Sequence, residues 1–193
     1  MSALALAACG QHWSGDRFFG SDVTGSSFGR DFQLLDPDGH ERSLADFRGK
    51  VVVMFFGYTQ CPDVCPTALA RAAAVRRALG ADGDKVQVIF VTIDPERDTA
   101  DLMRQYTQAF DPSFLGLRGD AARTQQVASE FRVFYQKVAT GSSYTMDHSA
   151  FSYVFDAEGR LRLVWQPDQA VEQCASDLRA LMKSNHLLWR WFS

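Results

Sequence analysis

Two cysteines, Cys61 and Cys65, stand four positions apart in Cys61-Pro62-Asp63-Val64-Cys65-Pro66, where a β-branched, aromatic run gives way to an Ala-rich segment that favours helix. Residues four apart on a helix project from the same side, with Cβ atoms about 5–6 Å from each other. Thiolates that close can clasp one soft ion or oxidise to a disulfide. A metal–sulfur bond of about 2.3 Å, the zinc–thiolate value, sets the scale of such a clasp. Thiolate ligands select monovalent copper, zinc or iron–sulfur clusters. The position helps: backbone N–H groups at a helix N-terminus favour the thiolate and lower its pKa. Pro62 and Pro66 restrict the backbone around the pair, so little entropy remains to be lost on binding.

Two thiolates suit monovalent copper, and holding the divalent ion asks for a nitrogen ligand as well. The histidines are His12, His40, His148 and His186. His12 falls in a Gly/Ser-rich stretch, His40 in a turn and His186 in the C-terminal tail. His148 alone stands where a long polar stretch meets an apolar run, which admits two readings: a ligand, or a strand-edge histidine that caps a loop. Asp94 and Asp98 follow a strand end; they could tune a site or contact a partner, but organising the loop and capping the next helix explains them better. Asp63, between the cysteines, reads as a steering charge or a solvated turn carboxylate. Cys174 shares a helical stripe with Val171, Leu178 and Leu181 and reads as a small buried hydrophobe.

The elements that must position these groups follow from pattern. Residues 51–58 form a continuous apolar run bounded by turn residues, expected as a strand covered on both faces. A helix is expected over 67–79, a second buried strand over 86–93, and a helix capped by Asp98 or Thr99 to residue 110. Short strands are expected at 31–35 and 114–117, a helical turn at 44–48, a helix over 120–131 and a strand over 133–138. The polar stretch 139–147 reads as a loop. Residues 148–155 and 161–165 flank Asp156-Ala157-Glu158-Gly159 as a hairpin, and 168–183 close as an amphipathic helix. The order is α/β, a mixed central sheet flanked by helices with an added hairpin and an N-terminal extension. A Cys pair at a strand-to-helix junction within that order is the thioredoxin-like arrangement.

The chain has 193 residues, 46% apolar and 22% charged, with a net charge of -3. That fits one domain with tails: 1–29 a signal remnant and linker, 30–184 the domain, and 185–193 a tail carrying Trp189 and Trp191. No Lys/Arg block or basic-aromatic stripe is present, which argues against nucleic acid as a partner. No stretch approaches the roughly 18–20 apolar residues that cross a bilayer. Leu6-Ala7-Ala8-Cys9 matches the end of a lipoprotein signal, in which the cysteine is lipidated. A full signal opens with a basic segment and a longer apolar run, whereas the first basic residue here is Arg17. Lipidation at Cys9 is the expectation, and it would hold the domain at a membrane on the exported side.

The run from Phe56 to Thr67, containing Gly57-Tyr58-Thr59-Gln60-Cys61-Pro62-Asp63-Val64-Cys65-Pro66, resembles the signature of the Sco (SenC) copper proteins. Asp147-His148-Ser149 resembles that family's second motif, and Thr92-Ile93-Asp94-Pro95-Glu96-Arg97-Asp98-Thr99 a third. Asp46-Phe47-Arg48-Gly49-Lys50 follows the pattern too, so the resemblance runs from about residue 20 to 183. It implies a thioredoxin-like fold in a membrane-tethered protein outside the cytoplasm, in the bacterial periplasm. It implies copper held by Cys61, Cys65 and His148, and a role in assembling the binuclear copper centre of cytochrome c oxidase. The expected partners are the copper-accepting subunit of a membrane oxidase, another periplasmic copper chaperone, or a thioredoxin-like reductant, with membrane association through the N-terminus. The alternative is a thiol-disulfide oxidoreductase that reduces cysteines of that subunit, one cysteine attacking and the other resolving. One departure is that the hydrophobic anchor of the family is represented here by at most the lipobox remnant.

Overall fold

The computed structural model describes residues 18–189, so Cys9, His12 and Trp191 lie outside it. Its centre is a six-stranded sheet. The first strand after the Gly/Lys turn, Val51–Gly57, is buried along its whole length and pairs in parallel with Val86–Thr92, Val51 opposite Val86 and Gly57 opposite Thr92. Numbered in chain order, these are β4 and β5. The short strands before them are β1 (Ser21–Asp22), β2 (Leu34–Leu35) and β3 (Glu41–Arg42). Strand β6 (Leu115–Leu117) continues the parallel set beside β5. On the other side of β4 the sheet turns antiparallel, through β9 (Ser152–Phe155) and β10 (Leu161–Trp165), and ends in β1, giving the order β1-β10-β9-β4-β5-β6. A continuous apolar run forms this centre because β4 and β5 carry no face for water.

Helix α1 (Val64–Leu79) follows β4, and α4 (Val171–Trp189) packs beside it against β4. Arg179 of α4 donates to the Ala78 carbonyl at 2.7 Å. Helix α2 (Ala100–Gln108) packs on β6, and α3 (Ala121–Glu130) leads into Phe131. The Phe131 ring lies tilted 5.2 Å from that of Phe56 and edge-to-face 5.5 Å from that of Tyr153, joining three elements in one aromatic cluster. The caps are local: Thr99 accepts from the Leu102 N–H, and Asp120 from the Arg123 N–H at 2.7 Å. Thr99 rather than Asp98 therefore caps α2.

Three expectations change. The stretch 139–147 is not a loop: it forms most of an antiparallel hairpin, β7 (Tyr135–Thr140) and β8 (Ser143–His148), turning at Gly141 with φ 60°. This hairpin is a separate two-stranded sheet. It buries little, so it lacks the apolar alternation by which a strand is read. His148 accordingly ends β8 instead of opening β9, which begins at Ser152. Linker composition over 10–29 gives way to a docked segment from Phe19 onward: the Phe19 and Gly20 N–H groups donate to Asp177 at 2.8 and 2.9 Å, and β1 pairs with β10. The closing helix also runs beyond residue 183, to Trp189.

Candidate metal centre

The strand β4 delivers the chain to the site, and α1 receives it. After Gly57, the turn 58–60 closes with the Cys61 N–H on the Tyr58 carbonyl at 3.3 Å, and the Thr67 N–H bonds the Asp63 carbonyl at 3.1 Å. Pro66 sits in the first turn of α1, where a missing N–H costs nothing. Cys65 is fully buried and Cys61 is 9% exposed, so one thiol is walled in and the other is reachable. The Cys65 sulfur lies hard against the end of β4: a Cβ on Gly57 would stand 2.6 Å from it. Glycine at that strand end is thus a packing requirement of the site.

The third group arrives from β8. One atom each of Cys61 Sγ, Cys65 Sγ and a His148 ring nitrogen lie within 4.8 Å of one another. His148 Nε2 is 3.5 Å from Cys65 Sγ, and Nδ1 is 2.9 Å from the Ser149 carbonyl. A carbonyl only accepts, so Nδ1 carries the proton and donates it. In the neutral ring, Nε2 then presents its lone pair to the sulfurs. The ring is held edge-on between Phe55 at 6.1 Å and Tyr58 at 5.9 Å. Ser149 closes the open end of the hairpin, its N–H bonding the Phe134 carbonyl at 2.9 Å and its Oγ accepting from the Phe134 N–H at 3.1 Å.

The two thiols are electrostatically unlike. A hydrogen bond from Cys65 holds Cys61 down at about 3, against the opposing effect of burial, with help from the backbone N–H groups of Asp63 and Cys65. Donating that hydrogen bond, together with burial, pushes Cys65 far above the ordinary thiol range. The reduced pair therefore holds one negative charge and one shared proton. Two soft sulfurs and an imidazole lone pair, facing one point, form a donor set that fits copper in either oxidation state.

Residues 21–183 match the SCO1/SenC family model. The chain belongs to the SCO1/SenC family. Copper-bound ScoI of Bradyrhizobium japonicum is 43% identical and superposes with a TM-score of 0.72, covering 80% of this chain and 98% of that one. Apo Sco1 of Thermus thermophilus is 41% identical with a TM-score of 0.77, covering 86% and 97%. The mitochondrial SCO2 homolog of Bos taurus is 39% identical over 156 residues, 79% of this chain and 59% of its own length. The chain thus spans about three-fifths of that curated relative. The thioredoxin-like fold expected from the element order is the fold of these Sco proteins.

The remaining candidates in this Sco chain separate cleanly. Asp98 is fully buried and grips the turn before Cys61: it accepts from Thr59 Oγ1 at 2.6 Å, the Thr59 N–H at 3.1 Å and Thr92 Oγ1 at 2.6 Å. Burial raises its pKa, with those donors pulling the other way. Asp94 pairs with Arg97 and accepts from Tyr144 Oη at 2.9 Å. Both carboxylates organise the loop, and through it the site. Asp63 is exposed and makes no side-chain cap. Cys174 is buried, with its pKa pushed up to about 12 by burial, and stands apart from the trio. His40 faces Asp36 on the β2–β3 turn. Sequence reasoning gave no role to Gly57, Arg97 or Tyr144. A glycine closing a β-branched run was a legible sign of close approach; nothing in the sequence marked Tyr144.

Proposed function

We propose that the protein is a copper metallochaperone that takes Cu(I) on Cys61 and Cys65 and holds Cu(II) with His148 added, delivering it for assembly of the binuclear copper centre of cytochrome c oxidase. The observation that carries this reading is the convergence of two thiols and a lone-pair nitrogen within 4.8 Å. The copper-bound relative and the family's link to oxidase assembly support it. A copper-accepting oxidase subunit is the partner this role requires, reached by exchange of its ligands for Cys61, the accessible thiol. Binding displaces the proton that Cys65 shares with Cys61, and disulfide formation would remove two ligands at once. The working location is the periplasmic face of a membrane, with Cys9 as the lipid attachment point. Among the described residues no helix is long and apolar enough to cross a membrane.

A second reading is favoured by one observation. A lowered Cys61 beside a buried Cys65 is also the arrangement of an attacking and a resolving thiol. An anaerobic copper titration of the reduced protein in both oxidation states separates the two. One copper per chain is expected, with Cys61→Ser abolishing Cu(I) binding and His148→Ala weakening Cu(II) far more than Cu(I). Failure to bind copper, with ready thiol exchange on a cysteine-containing peptide, would put the oxidoreductase reading first.

A further inference from the structure

The hairpin β7–β8 brings His148 to the cysteines, yet it belongs to a different sheet from β4 and shares no strand ladder with it. Side chains must therefore fix how far the imidazole stands from the thiols. Two side chains make that connection: Tyr58 bonds Thr145 of β8 through their hydroxyls, and the guanidinium of Arg97 spans from the cysteine turn to Tyr144. Arg97 Nη1 donates to the Tyr144 carbonyl on β8 at 2.8 Å and to Gln60 Oε1, beside Cys61, at 3.2 Å. Its guanidinium carbon lies 3.6 Å from the centre of the Tyr144 ring and 5.7 Å from that of Tyr58. Its other edge pairs with Asp94, which accepts from Tyr144 Oη at 2.9 Å. Lys137 of β7 adds a pair to Glu96 at 2.8 Å.

We propose that Arg97 is a positioning residue for His148: by bridging Gln60 and Tyr144 it sets the register of the hairpin against the cysteine turn, and so tunes the site for the divalent over the monovalent ion. Cys65 lies on α1 and Cys61 in the loop between β4 and α1, and Asp98 fixes the turn before Cys61 through Thr59, so the pair keeps its place without that bridge. Loosening the hairpin should withdraw the nitrogen and leave the sulfurs in place. The hairpin itself should survive, because Tyr58 Oη to Thr145 Oγ1 at 2.8 Å and the buried Met146 hold it independently. Lysine at 97 keeps the charge but lacks the planar fork whose Nε edge pairs with Asp94 while Nη1 reaches Gln60 and the Tyr144 carbonyl.

This inference rests on the copper reading, so the test has arms with and without the ion. Wild type, Arg97→Gln, Arg97→Lys and Tyr144→Phe are titrated with Cu(II) and with Cu(I). Electron paramagnetic resonance reads nitrogen ligation, and amide hydrogen exchange over residues 143–148 is followed in the copper-free proteins. Arg97→Gln should lose about 10–100-fold in Cu(II) affinity, the usual cost of removing a residue that orients a ligand. Its nitrogen coupling should weaken, its hairpin should exchange faster, and its Cu(I) affinity should stay unchanged; Arg97→Lys and Tyr144→Phe should fall between. Unaltered Cu(II) affinity and spectrum in Arg97→Gln, or equal losses for both ions, would overturn the proposal. Absence of copper binding in wild type would instead sink the copper reading. Hairpin exchange in the copper-free proteins would then decide whether Arg97 holds the hairpin, and unchanged exchange would overturn that as well.

Discussion

Cys61 and Cys65 are the same residue type on one short motif, yet they are not chemically equivalent. Cys61 accepts the Cys65 hydrogen bond and the N–H groups at the start of α1, which places it at about 3, whereas Cys65 is buried and serves as donor. The sign of the consequence is plain: a lowered thiol pKa means that the thiolate is already present above that value. Alkylation of the reduced, copper-free protein should therefore modify Cys61 first, with a rate nearly flat from about pH 5 to 8. An ordinary thiol of pKa about 8.5 gains roughly tenfold per pH unit over the same range. A steep rise toward pH 8, or initial modification of Cys65, would refute this assignment. The same inequality explains why the site can open to an acceptor from one side, since Cys61 alone of the pair meets solvent.

At the scale of elements, the site depends on turns more than on regular structure. Asp98 ties the 58–60 turn to the end of β5 through Thr59 and Thr92. Asp98→Ala strands those buried donors and should cost about 1–3 kcal/mol in urea denaturation. Asp98→Asn keeps an acceptor oxygen and gives up a charge that burial already disfavours, so it should lose less; equal losses would mean that the charge itself is what matters. The legibility of the fold divides along the same line. Strands β4 and β5 and helix α1 announced themselves because burial on both faces, or on one stripe, leaves a periodic apolar trace. The Cys pair was legible from its spacing at their junction. The hairpin β7–β8 was not, because Ser143, Thr145 and Asp147 alternate with residues that are themselves only half apolar, and the contacts that dock it, from Tyr58, Arg97, Glu96 and Asp94 to Thr145, Tyr144 and Lys137, join residues distant in sequence. His148 stood out among the histidines by its place in the sequence, but only the resemblance favoured the ligand reading over the strand-edge one, since the spacing between residues 65 and 148 says nothing about proximity until the hairpin is known.

For the whole molecule, the question is how the sheet is closed at the edge where the chain enters. Asp177 of α4 is buried and accepts four donors: the Phe19 and Gly20 N–H groups at 2.8 and 2.9 Å, Trp165 Nε1 at 2.9 Å and Gln169 Nε2 at 3.0 Å. One carboxylate thus joins the entering segment, the strand β10 and the closing helix, and Gly20 is required there because a Cβ would fall 2.6 Å from the Trp165 ring. The two residues of β1 could not hold an edge alone; the carboxylate holds them in register on β10. Asp177→Ala leaves buried donors without an acceptor, at about 1–3 kcal/mol. For a domain of this size that corresponds to a fall of roughly 2–12 °C in Tm. Amides of residues 19–23 should lose protection from hydrogen exchange, while copper affinity should stay at the wild-type value because Asp177 shares no partner with Cys61, Cys65 or His148. Retained protection over 19–23 would show that β1 pairing alone suffices. A parallel fall in copper affinity would show instead that the entering edge and the metal site are mechanically coupled, through α4 and its neighbour α1.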